Sequence, residues 1–336
     1  MSHDEFDADR SLTTDPGDPG LPPVQPPSAG FLVQLFVVPA LIVLAVVGVW
    51  ALFGKIASSD DDWRELVEDI RNTNEHRRWR GANGLATLLV HDQKLGDDGQ
   101  HLAKNPEIAR VLVGLFEEGL NRHSNREDDL KQEQFLALTL GLLDSQPTVL
   151  PALQHGMKPE QDREVRKNSI ASIAGMAGRA DEHHETIKSP NLVEDLVAAT
   201  SDSDSLIRDS ATYALGLVAT PASRERLTVL VNSGDTNTRV NAAIGLARQQ
   251  STAGLPVFKE ILKKGDGPVA DPGAPAQVEE LLSLKNVLHA VRILDGQWTP
   301  AQRAELTALI DPLSRNHAEP RIRTDANDAL VSLGKK

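Results

Sequence analysis

"DSLIRDSATYALGLVA", residues 204–219, is the stretch that decides the fold. Ile207, Ala211, Ala214, Leu215 and Val218 recur at three- and four-residue spacing, which predicts a one-sided helix. That face is narrow and rich in alanine, so one such helix buries little by itself. Its stability has to come from neighbours of the same kind.

Three further copies lie in register with it. They are "DREVRKNSIASIAGMA" (162–177), "DTNTRVNAAIGLAR" (235–248) and "EPRIRTDANDALVSLG" (319–334). In each an acid stands four residues ahead of an arginine: Asp162 before Arg166, Asp204 before Arg208, Asp235 before Arg239, Glu319 before Arg323. This order predicts an i,i+4 ion pair, with the acid also complementing the positive helix start. Looser copies at 76–92, 133–144 and 285–295 keep the apolar spacing without the acid–arginine pair. The arginines are 42, 31 and 84 residues apart, with one looser copy inside the last interval.

The copies, strong and loose, follow a second helical pattern, for example at 190–202, 222–235, 255–266 and 299–314, with Pro190, Pro221, Pro256 and Pro300 at or near the starts. A missing amide costs little there. The repeating unit is therefore helix–turn–helix, and stacked units bury a face that none could bury singly.

The run D-x-x-x-R-x-x-A-x-x-A-L-G at 204–216 resembles the second helix of HEAT repeats, and the upstream proline resembles the start of their first helix. The resemblance covers roughly residues 62–334. It implies an all-α, right-handed solenoid of stacked helix pairs over 62–335, a curved superhelix that holds other proteins. It also implies a ladder between repeats that falls here on Asp162, Arg166, Asp204, Arg208, Asp235 and Arg239, to which the fourth copy adds Glu319 and Arg323.

Two segments precede the repeats. Residues 1–30 are acidic and Pro-rich, with six acids against Arg10, a composition that predicts a disordered tail. Residues 31–54, "FLVQLFVVPALIVLAVVGVWALFG", carry no charge. As a helix of about 36 Å they would cross a hydrocarbon core of about 30 Å. They are expected to form a single transmembrane helix contacting the lipid bilayer. Lys55, Arg64 and Arg71 after the span place the solenoid on the cytoplasmic side by the positive-inside rule. An uncharged anchor followed by such repeats also resembles single-pass, membrane-anchored HEAT proteins of bacteria.

Composition narrows the function. The 336 residues carry a formal net charge of −13, which opposes a nucleic-acid backbone as partner. Aromatic residues make up 4% of the chain, too few for pockets that hold flat cofactors or small substrates. There is no cysteine, hence no thiolate ligand or nucleophile. "DEHHE" (181–185) places His183 and His184 about 100° apart on a helix, so they do not converge on a metal. "EHRRWR" (75–80) offers Arg77, Arg78 and Arg80 as candidate contacts to lipid head groups, although such sites generally gather more bases. The Gly- and Pro-rich stretch 263–277 reads as a flexible insertion.

No catalytic residue, cofactor or metal site is expected, and the chain is not expected to be an enzyme. The reading is a membrane-anchored scaffold that presents a concave repeat surface to a protein partner. The alternative is an enzyme on a HEAT-like frame, such as a bilin lyase, which the aromatic shortage disfavours. Second helices line the inner curve of such solenoids, so the candidate partner-binding residues are Lys167, Ser169, Asp209, Thr212, Asn241 and Arg248. A hydrophobic peptide is not expected as partner, because no exposed apolar stripe is evident.

Overall fold

The computed structural model describes residues 63–182, 185–265 and 275–334, together with Val43 and Val47. The chain divides after Asp60 into two units. Of the first, the two valines are described, both helical and exposed.

The second unit is an all-helical repeat solenoid. Among the described residues its helices form pairs in chain order: α1 (Trp63–Arg71) with α2 (Glu75–Leu95), α3 (Pro106–Arg122) with α4 (Glu127–Leu140), and α5 (Gln146–Gly156) with α6 (Arg163–Glu182). Then come α7 (Leu192–Ala199) with α8 (Ser205–Leu217), α9 (Pro221–Leu230) with α10 (Thr236–Arg248), α11 (Leu255–Gly265) with α12 (Pro275–Ile293), and α13 (Pro300–Asn316) with α14 (Pro320–Gly334). Each second helix packs on its own first helix and on the second helices of the adjacent pairs.

Local chemistry sets these helices. Asn105 caps α3, accepting from the amides of Glu107 and Ile108 at 2.8 and 3.4 Å, and Pro106 occupies the first position. Thr220–Ser223 and Thr299–Gln302 form reciprocal capping boxes ahead of α9 and α13, again with proline next. The core is Leu, Ile, Val and Ala, with Phe116 and Phe258 its largest fully buried side chains.

The alanine economy of the opening stretch now has its reason. Ala211, Ala214 and Leu215 of α8 and Ala242, Ala243, Leu246 and Ala247 of α10 are all fully buried. A Cβ on Gly216 would stand 2.7 Å from Gly245 Cα. The two backbones approach too closely for a larger residue.

The expectation of a transmembrane helix ahead of the solenoid is corrected. Among the described residues no helix is long and apolar enough to cross a membrane. The solenoid helices are one-sided, and their outer faces keep charge. The 31–54 run lies outside the described residues apart from Val43 and Val47, and the 1–30 tail lies outside them entirely. Among the described residues the fold is thus an all-helical repeat solenoid with no helix that could cross a membrane. The 263–277 stretch is also redrawn at both ends: Lys263–Gly265 close α11 and Pro275 opens α12, while 266–274 lie outside the described residues.

Candidate functional site

Three acids of the repeated motif, Asp162, Asp204 and Asp235, act as helix caps. Asp162 Oδ1 accepts from the amides of Glu164 and Val165 at 2.9 and 3.2 Å. Asp204 accepts from Leu206 at 2.8 Å, and Asp235 from Asn237 and Thr238 at 2.9 and 3.3 Å. With Oδ1 turned to the helix start, they do not form the expected pair with the arginine one turn on.

The arginines instead reach across turns and repeats. Arg166 pairs with Asp202, both side chains 12% exposed. Arg163, which was not singled out, pairs with Asp204 of the next repeat. Arg208 lies 3.5 Å from Asp235 and donates at 2.9 Å to the carbonyls of Asp202 and Ser203. Arg239 holds Glu260 through two bonds of 2.9 Å, and Arg323 donates to the carbonyls of His317 and Ala318 at 2.6 and 3.1 Å. Glu319 receives no such arginine; its amide donates to His317 Nδ1. Burial acts to raise the Asp202 carboxyl, but the Asp204 amide and the Arg166 guanidinium outweigh it and leave it below the ordinary range.

The six candidate partner-binding residues separate into two groups. Ser169 and Thr212 are fully buried between helices, and Thr212 donates to the Arg208 carbonyl at 2.8 Å. They are therefore removed from any surface. Lys167, Asp209, Asn241 and Arg248 are half-exposed. Lys167 pairs with Glu164 on its own helix. Asp209 accepts from Thr238 Oγ1 at 2.6 Å, Asn241 donates to the Asp209 carbonyl at 3.3 Å, and Arg248 lies 5.2 Å above the Tyr213 ring. Burial pushes the Asp209 carboxyl up.

An exposed apolar set, absent from the expectation, lies on the same helices. Within the described solenoid the exposed large apolar side chains are Trp79 and Leu95 of α2, Leu138 of α4, Leu206 and Tyr213 of α8, Val278 and Leu282 of α12, Val331 of α14, and Val229 of α9. All but Val229 belong to second helices. Leu206 and Tyr213 escape the apolar spacing that marks the core, and that mismatch is the signal available in the sequence. His289 of α12, which shares a pocket with Val331, has its pKa lowered, first by burial and then by Arg292 and Arg248.

Arg77 and Arg80 turn to Asp69 of α1, at 3.7 and 2.5 Å. Arg78 instead lines a cleft between the first two repeats. The three bases therefore do not form one outward cluster. Of the "DEHHE" motif, His183 and His184 lie outside the described residues. Among the described residues no group of three His, Cys, Asp or Glu is placed to hold a metal ion.

A family profile described as HEAT repeats matches residues 193–271, which begin in α7 and end past α11. Over that segment the chain is similar to HEAT repeats, and the helix pairs on either side repeat the same architecture. The match does not extend to a single-pass, membrane-anchored bacterial kind. No curated protein matches the chain. Similar solved structures include a designed armadillo repeat protein, 18% identical over 66% of this chain and 99% of that one, with a TM-score of 0.42. An engineered protein is 17% identical, covering 81% and 96% with a TM-score of 0.36. Human deoxyhypusine hydroxylase in complex with glycerol is 16% identical, covering 83% and 98% with a TM-score of 0.30. Likenesses this distant carry no activity over to this chain.

Proposed function

We propose that the solenoid is a protein-binding scaffold whose second helices carry the contact surface. One observation carries the reading: the exposed large apolar side chains of the solenoid gather on second helices, with Val229 as the exception. A solvent-facing Leu or Tyr is ordinary when single, but a set confined to one row of parallel helices marks an interaction face. Around it stand half-exposed polar residues of both signs, Lys167, Asp209 and Arg248, as at the rim of a protein interface. Tyr213, held under Arg248, is the type of anchor that dominates such contacts.

The partner predicted from this face is a folded or helical protein segment with apolar anchors, which revises the sequence-based expectation of a purely polar surface. The test compares two faces. Tyr213→Glu with Leu282→Glu is expected to abolish recruitment of the partner, while Val229→Glu on a first helix leaves it intact, with helicity equal in both. Equal losses from the two variants would reject the second-helix face.

A further inference from the structure

The junction of the first two repeats holds a cleft of about 380 Å³, with Ile70, Leu115 and Leu136 among its apolar walls. Asn72 and Thr73 of the α1–α2 turn stand beside it. Glu133 of α4 lines this cleft at 5% exposure. Its Oε1 is buried and has no hydrogen-bond partner. A carboxylate in that position is costly, because burial removes water and nothing replaces it. Its place is made by Gly119 of α3, where a Cβ would stand 2.9 Å from Glu133 Cγ.

Arg71, Arg78, Glu118, Arg122 and Asp129 also line the cleft. Arg71 pairs with Glu68 at 3.0 Å, and Arg122 pairs with Glu118 at 3.2 Å and Asp129 at 3.7 Å. Asp129 Oδ2 accepts from Ser124 at 2.6 Å. That bond, against opposing burial, leads in holding the Asp129 carboxyl low, with Arg126, Arg122 and Arg78 assisting. Glu133 is pushed up to about 7, chiefly by burial and then by the negative Asp129, with Arg122 opposing and Asp162 adding to the rise. The orphaned acceptor thus sits in a cleft of mixed apolar and charged lining, with Asp129 and Asp162 as negative neighbours and Arg122 as the opposing positive one.

We infer that this cleft receives the cationic end of a lysine or arginine side chain from a protein partner, with Glu133 as the acceptor of its N–H groups. The aliphatic stem suits Ile70, Leu115 and Leu136, and the charged end supplies the missing hydrogen bonds. This inference does not rest on the apolar set of the second helices.

The full chain, with its glutamate carboxyl carbons labelled, is titrated by NMR alone and with three probes. These are Nα-acetyl-lysine amide, Nα-acetyl-arginine amide and the uncharged Nα-acetyl-norleucine amide. The Glu133 signal is assigned by its loss in Glu133→Gln. One cationic probe is expected to draw the Glu133 midpoint from about 7 toward the ordinary carboxylate range, while norleucine leaves it in place. Glu133→Gln is expected to weaken that probe about tenfold, or about 1.4 kcal/mol. Gly119→Ala, which intrudes on the same carboxylate, should weaken it too. A midpoint unmoved by both cations, or equal affinity in Glu133→Gln, overturns the assignment. Tighter binding of 1,4-diaminobutane than of either capped amino acid overturns its side-chain part.

Discussion

Repeats four and five and repeats one and two use acids and glycines to opposite ends. In α8 and α10 the acids Asp204 and Asp235 stand at helix starts, where amides and the arginines of the preceding repeat satisfy them. The interior between these helices is left to alanine, and Gly216 meets Gly245 backbone to backbone. In α4 Asp129 stands in the first turn, where Ser124 and Arg122 satisfy it, whereas Glu133 lies further along the helix, buried with an oxygen that has no partner. There Gly119 makes room for a carboxylate. Charge at a helix end is satisfied by the fold itself; charge in the middle of a packed helix is left for something else to satisfy. The first arrangement makes a spacer and the second makes a site.

The largest expected effect tests the satisfied side of that contrast. Arg166→Ala removes the partner of Asp202 while leaving a nearly buried carboxylate, and should cost about 3–5 kcal/mol in denaturant unfolding. A loss under about 1 kcal/mol would place this pair with ordinary surface ion pairs.

Next comes the unsatisfied side. The folded Glu133 carboxyl titrates near 7 against an ordinary 4.5, so its contribution to stability is complete below 4.5 and is lost as pH rises through 7. Glu133→Gln should therefore be the more stable form at pH 8, by on the order of 3 kcal/mol, and the gap should close toward pH 4.5. His289 works in the opposite sense, since its lowered pKa costs stability as pH falls, but it is common to both proteins and cancels in the difference. A pH-independent gap would mean that Glu133 is not held in a desolvated place.

Gly216→Ala sharpens the comparison of spacings. The added methyl meets backbone that cannot give way, so melting should show a loss of about 2 kcal/mol. Gly114→Ala, with nothing within 4 Å of the new Cβ, should gain up to about 1 kcal/mol from helix propensity. Smaller still, Arg208→Ala should cost about 1 kcal/mol, and Arg315→Ala, an exposed i,i+4 pair with Asp311, about 0.3–0.5 kcal/mol. If the last two exchange order, the arginines of the repeated motif have no place in the ladder.

The repeat architecture was legible because apolar spacing, proline starts and a motif recurring every few tens of residues all report the same helix pair. Partners of the arginines were not. Asp204 and Arg208 stand one turn apart in sequence, yet the acid gives one oxygen to the helix start and the other to Arg163, and the arginine reaches Asp235. A cap and an i,i+4 partner share one sequence signature, and only the fold distinguishes them. Ser169 and Thr212 misled for a related reason: polar residues read as surface are buried between helices. Glu133 did leave a trace, because it falls on the spacing that Leu136, Ala137 and Leu140 continue, a core position occupied by an acid. Exposed Leu206 and Tyr213 left the converse trace.

The second-helix contact surface is tested most directly by site-specific photocrosslinking in the cell of origin. Benzoylphenylalanine is placed separately at Tyr213, Leu282 and Val229, and the adducts are compared by mass. The account predicts one shared, discrete adduct from Tyr213 and Leu282 and none from Val229. The same adduct from all three positions, or an adduct from Val229 alone, would contradict it.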